Sequence, residues 1–225
     1  DDSYKSPIPQ NLRWRSWAKD DEGITGDSLI EFINNQLFPT LKNLTFSKEE
    51  NEAGFVVKSI FEDSYNYMKS GTQIRKVINK IDEINFNRKA DQDQFGLIYE
   101  NLLSSLQSAG NAGEYYTPRA LTQFITDMVS PKLGEKVFDP ACGTGGFLTS
   151  VIEYIRKHDV HTAEDEALIK ETVTGIEFKQ LPHMLCTTNM ILHGISAPTN
   201  ISRDDSLSRP IKDISSSDKV DIIVA

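Results

Sequence analysis

Lys136-Val-Phe-Asp139-Pro-Ala-Cys-Gly143-Thr-Gly-Gly146-Phe147-Leu148 is the stretch on which the reading of this chain turns. Lys136 to Asp139 is a short run of strand-forming residues closed by an acid, and Pro140 to Gly146 form a glycine-rich loop. Phe147, Leu148, Val151, Ile152 and Ile155 then recur at helical spacing as far as Lys157, so a strand enters the loop and a helix leaves it. Glycines permit the tight turn and let a ligand approach the backbone. The amides at the helix start suit an anionic group. Downstream, Val173 to Phe178 read as a second strand carrying Glu177 at its end, Leu181 to His193 as a helix, and Val220 to Ala225 as another strand. Upstream, Thr117-Pro118 read as an N-cap and a first helical proline before Leu121, Phe124, Ile125 and Val129. The polar residues 158–166 read as a loop. Strands alternating with helices indicate an open parallel sheet.

Residues 11–109 have a different pattern. Ser28 with Glu31 has the spacing of a capping box, followed by Leu29, Ile30, Ile33, Leu37, Leu41 and Leu44 at helical period, with Pro39 predicting a kink or break. A second helix is expected to carry Val56, Val57, Ile60, Phe61 and Tyr65; a third Ile74, Val77, Ile78, Ile81 and Ile84; a fourth Phe95, Ile98, Leu102, Leu103 and Leu106. The small, turn-rich stretch 108–113 reads as a boundary. The expected organisation is therefore an all-α N-terminal domain, residues 1–110, followed by an α/β domain, residues 111–225.

Composition narrows the function. The 225 residues are 38% hydrophobic and 25% charged, enough to build a core. No apolar run reaches the ~18 residues that a membrane-spanning helix needs. The chain opens on Asp1 with no Met and no basic-then-apolar segment, which reads as a processed or shortened chain. Two cysteines, Cys142 and Cys186, make neither a disulfide framework nor a zinc spacing, and suit a reducing cytoplasm. Net charge is −9, and neither half is basic: residues 1–112 carry 13 basic and 17 acidic side chains, residues 113–225 carry 11 and 16. A protein that grips nucleic acid by itself normally shows a basic face, so any contact with DNA is expected to depend on a partner.

Three chemistries compete for the glycine loop. A phosphate-cradling loop needs Lys and then Ser or Thr after its last glycine; here Phe147 and Leu148 follow Gly146. A dinucleotide fingerprint needs a third glycine three residues after the second and an acid ~20 residues on. Here Gly146 comes too early and Glu177 stands 34 residues after Gly143. The third chemistry is a methyl-donor site. The segment from Asp139 to Phe147 resembles the first motif of S-adenosylmethionine-dependent adenine DNA methyltransferases, and within them the modification subunit of type I restriction–modification systems. Four features carry the resemblance in order: Gly113 to Arg119, the glycine loop, Gly175-Ile176-Glu177, and Asp204-Asp205-Ser206-Leu207. Trp14 to Ala18 and Gly23 to Gly26 also resemble that subunit's N-terminal domain, so the likeness runs along nearly the whole chain.

The resemblance implies a Rossmann-like methyltransferase fold, here with an incomplete sheet, and S-adenosylmethionine as cofactor. It implies that Glu114, Tyr115, Tyr116, Thr117, Pro118 and Arg119 line the methionine end of the pocket, and that Asp139 meets its cationic group. Ala141, Gly143, Thr144, Gly145, Gly146 and Phe147 would lie against the donor, and Glu177 would accept from both ribose hydroxyls. Asp205 would accept from the adenine amine, with Asp204 competing for that role and Leu207 packing on the ring. Taken singly, each residue has a plainer reading: core aromatics for the tyrosines, a strand-end cap for Asp139, an exposed acid for Glu177, a small filler for Cys142. His158 and His161 beside Asp159 read as a solvated loop, and no metal site is expected. The resemblance further implies N6-adenine methylation of double-stranded DNA, with a DNA-specificity subunit and a restriction subunit as partners and no membrane. The family's acceptor motif, Asn-Pro-Pro-aromatic after the fourth strand, occurs nowhere in the 225 residues, so catalytic residues are expected only beyond Ala225. Other readings are a non-catalytic assembly module built on residues 1–110, a methyltransferase for RNA or protein, and, against the glycine spacing, a dinucleotide oxidoreductase.

Overall fold

The computed structural model describes residues 5–86, 88–108 and 117–225. Two compact units, Asp1–Phe95 and Gly96–Ala225, divide the chain. The division falls inside a helix, Lys89–Ser108, and the boundary expected at 110/111 lies outside the described residues.

The first unit contains α1 (Trp14–Trp17), α2 (Gly26–Phe32), α3 (Phe38–Lys42), α4 (Glu52–Phe61) and α5 (Gly71–Asp82), and the start of α6 (Lys89–Ser108). Its core is the periodic stripe Leu29, Ile33, Leu37 and Leu41, packed with Ile74 and Ile78 of α5. Two local expectations are corrected and one is narrowed. The capping box at Ser28 does not form: α2 starts at Gly26 behind Thr25, without a side-chain cap. The buried Arg75 explains the earlier start, since its guanidinium donates to the carbonyls of Ile24, Ala18, Asp20 and Trp17 and so fixes the turn leading into the helix. Pro39 does not break the run. A π-helical turn over Ile33–Leu37 joins α2 to α3 and accommodates a residue without an amide hydrogen. Tyr65 lies beyond α4 and is exposed, with the Lys42 ammonium 4.1 Å above its ring.

The second unit contains α7 (Arg119–Val129), β1 (Val137–Asp139), α8 (Gly146–His158), α9 (Ala163–Thr172), β2 (Val173–Ile176), α10 (Gln180–Leu192), β3 (Ile201–Ser202) and β4 (Ile222–Ile223). All pairings are parallel and the strand order is β3-β2-β1-β4, with Val137 opposite both Val173 and Ile222. The order reverses between β1 and β4, and in open parallel sheets ligands bind beyond the carboxyl ends of the strands at such a reversal. Val137, Leu148, Ile152, Ile155, Ile169 and Val173 lie at the centre of the core. Residues 158–166 are not all loop. Thr162 and Asp165 form a reciprocal capping box and α9 begins at Ala163. Pro118 stands at the N-cap of α7 and not inside it. No described helix is long and apolar enough to cross a membrane.

Candidate functional site

The carboxyl end of β1 runs directly into the glycine loop. The loop is tied to the neighbouring strand, where the Cys142 amide donates to the Ile176 carbonyl at 2.9 Å, and it closes on itself, where the Gly145 amide donates to the Cys142 carbonyl at 2.7 Å. Gly143 and Gly145 have φ of +55° and +84°, a region side chains other than glycine rarely adopt. A Cβ built on Gly145 would also stand 2.8 Å from Cys186 Sγ, so α10 backs the loop closely. Among the described residues, a Cβ on Gly143 would meet nothing within 4 Å, so they leave space open on that side of the loop. The first-turn amides of α8 have no acceptor within their own helix.

Two acids border this space. Asp139 is 2% exposed, and its Oδ1 accepts from the Ala141 amide at 3.0 Å. Burial pushes its carboxyl up to about 6, against the pull of the Ala141 amide and with the help of the Glu177 carboxylate. Glu177 follows β2. Its Oε2 accepts from the Gly143 amide at 2.9 Å and its Oε1 from the Lys179 amide at 2.7 Å. Each carboxylate oxygen has two lone pairs, so both keep acceptor capacity. The loop after β3 lies alongside, with the Asp204 amide 3.3 Å from the Glu177 carbonyl. Asp205 is exposed, and its Oδ1 accepts from the Leu207 amide at 2.9 Å; the Leu207 side chain is almost fully exposed.

The structure thus brings together Asp139, Ala141, Gly143 to Gly146 and Glu177, with the Asp204–Asp205 turn beside Glu177. Glu114, Tyr115 and Tyr116 lie outside the described residues. Thr117 and Pro118 lead into α7. Two expected ligand contacts are engaged in the fold itself. The Phe147 ring is buried in the apolar core. Arg119 donates to the Gly146 carbonyl at 3.2 Å and to Thr149 Oγ1, and pairs with Glu153 at 2.6 Å, which ties α7 to the start of α8. Cys142 and Cys186 face each other, both buried, with sulfurs 3.8 Å apart. The hydrogen bond to Cys186, together with burial, pushes the Cys142 thiol far above the usual range, so the Cys142 sulfur is not poised as a nucleophile. Among the described residues, no three His, Cys, Asp or Glu side chains form a metal cluster. Sequence reasoning missed Asn189 on α10, whose Nδ2 donates to the Thr144 carbonyl at 3.1 Å.

The glycine loop, the strand-end acids and the parallel order define a site without naming its chemistry. Residues 90–225 match the family model described as N-6 DNA Methylase. The chain belongs to the N-6 DNA methylase family. Among the family's curated members, the chain is 54% identical over 223 residues to the Type I restriction enzyme EcoEI methylase subunit of Escherichia coli, covering 99% of this chain and 45% of that protein. Among solved structures, a modification subunit of a putative type I restriction enzyme from Vibrio vulnificus superposes with a TM-score of 0.80 at 34% identity, covering 98% of this chain and 48% of that one. A chain solved in a study of complex assembly and conformational transition of the type I R-M system superposes with a TM-score of 0.84 at 33% identity, covering 96% and 43%. This N-6 DNA methylase chain therefore spans about half the length of the relatives it matches.

Proposed function

We propose that this chain is the donor-binding part of a type I modification subunit, an enzyme that transfers a methyl group from S-adenosylmethionine to N6 of adenine in double-stranded DNA. The observation that carries the reading is the pairing of Glu177 with the Gly143 amide beside open space. One carboxylate both orders the glycine loop and keeps lone pairs for two ribose hydroxyls. The strand order β3-β2-β1-β4 supports the Rossmann-like form, since it matches the first four strands of the doubly wound order and the loop stands at its reversal.

In this reading Glu177 holds the ribose, and Asp139 faces the cationic methionine end. The backbone of residues 143–146 lies against the donor, with Thr117 and Pro118 at the pocket's edge. Asp205 or Asp204 accepts from the adenine amine. S-adenosylmethionine, when bound, supplies an electrophilic methyl group on a sulfonium. The chain's own residues bind and orient the donor; the acceptor-side residues that act on the adenine amine are not among these 225. The acidic balance of both halves supports delegating sequence reading to a DNA-specificity subunit, with a restriction subunit for cleavage and DNA met through the complex. The helical N-terminal residues, 1–110, then serve assembly. Two unlinked thiols suit a cytoplasmic setting.

Calorimetry with S-adenosylhomocysteine tests the site. Replacing Glu177 by Ala removes two charge-assisted bonds and is expected to weaken binding by roughly 2–4 kcal/mol. Unchanged affinity in a folded Glu177→Ala protein would mean that the ribose assignment is wrong.

A further inference from the structure

The helix behind the glycine loop holds one residue that packing alone does not explain. Cys186, Asn189 and Met190 lie three and four positions apart on one face of α10, and all are buried. Cys186 and Met190 supply apolar contact: a Cβ on Gly145 would be 2.8 Å from the sulfur of one and 3.0 Å from the terminal methyl of the other. Asn189, between them, is 3% exposed. Its Nδ2 donates to the Thr144 carbonyl at 3.1 Å, while its Oδ1, equally buried, has no hydrogen-bond partner among the described residues. An unpaired buried acceptor takes away more stability than one ordinary hydrogen bond returns. A leucine, with the same branching and nearly the same shape, would remove that oxygen and take this donor from the Thr144 carbonyl at the same time.

We propose that Asn189 is a positioning residue for the methyl donor, acting through the Thr144 carbonyl to hold the glycine loop in its binding conformation. The proposal rests on the donor-site reading above and adds to it a residue that need not touch the donor. The Thr144–Gly145 peptide is held at both ends: its carbonyl by Asn189 and its amide by the Cys142 carbonyl at 2.7 Å. The left-handed Gly145 that follows is the N-cap of α8. With that peptide fixed, the first-turn amides keep one direction before any ligand arrives, and the ordering cost of binding is met in advance. Without the tie the loop has more conformers to lose when it binds.

A role in positioning separates stability from binding, which a role in packing cannot do. Asn189→Leu removes both the donated bond and the unpaired oxygen. The thermal midpoint of this variant is expected to stay close to that of the parent, because the Thr144 carbonyl loses its donor as the unpaired oxygen is removed, while its affinity for S-adenosylhomocysteine falls about tenfold, equivalent to ~1.4 kcal/mol. Amide hydrogen exchange at residues 144–147, measured without ligand, is expected to quicken in the same variant. A folded Asn189→Leu protein that binds as tightly as the parent overturns the proposal. So does one that loses stability and affinity together, with Asn189→Ala as the second variant showing the same joint loss. Failure of the parent itself to bind S-adenosylhomocysteine sinks the donor-site reading instead, and the exchange rates still report whether Asn189 holds the loop.

Discussion

Asp139 illustrates how a buried acid at the end of a strand can work against the fold that carries it. Its carboxyl is raised from 3.8 to about 6, first by burial. Below pH 3.8 the proton is bound in the folded and unfolded states alike and this group costs nothing. As pH rises towards 6 the unfolded chain releases its proton first, stability is lost, and above about 6 the loss is constant. A shift of this size corresponds to at most about 3 kcal/mol. Asp139→Asn keeps an oxygen for the Ala141 amide and removes the charge. Urea unfolding is expected to show the variant more stable than the parent at pH 8, with the gain shrinking towards pH 4. Its affinity for the cationic donor should fall. A variant no more stable at pH 8 than at pH 4 relative to the parent would contradict the burial argument. At this scale the placement of the acids and glycines at strand ends and in the loop was legible, because strand ends and turns leave local signatures. Asn189 was not, because its role depends on which helix backs the loop. Arg119 was read from its motif as a ligand contact, but a long side chain can turn either way, and here it reaches the Gly146 carbonyl and Glu153.

Among the elements, close approach of backbones sets the sharpest demands. A Cβ on Gly71, the first residue of α5, would fall 1.8 Å from the Gly26 carbonyl oxygen at the start of α2. That oxygen belongs to backbone and cannot step aside. Gly71→Ala is expected to destabilise the protein by about 3 kcal/mol or more. Gly96, in α6, has nothing among the described residues within 4 Å of its Cβ position, and Gly96→Ala should stabilise by roughly 0.5–1 kcal/mol through helix propensity. Chemical denaturation of both variants checks the pair; equal and small effects would refute the contact at Gly71. The main helices and the strands β1, β2 and β4 were readable because their apolar residues recur at 3.6 or run together. The elements that were not readable are short or polar. β3 has two residues, and its place in the sheet depends on pairing with Gly175 and Ile176. α9 buries only Ile169 and Thr172, so its charged sequence gave no apolar stripe to follow. The π-turn answers a proline, and sequence alone does not tell a widened helix from a broken one.

For the whole molecule, the uneven placement of sulfur has a practical consequence. The chain's only two thiols are Cys142 and Cys186, both sealed in the Gly96–Ala225 unit, whereas the Asp1–Phe95 unit has none. A thiol reagent is therefore a stopwatch for the opening of one unit and silent about the other. In native buffer both sulfurs should resist the reagent and react together, since the same opening uncovers both. S-adenosylhomocysteine should slow that reaction in proportion to its occupancy, because a ligand that binds only the closed form lowers the open population. If labelling runs as fast in native buffer as in urea, the sulfurs are not enclosed as described. The two sulfurs under the glycine loop let the stability of the Gly96–Ala225 unit be timed directly, without a fluorophore and without altering the open side of Gly143.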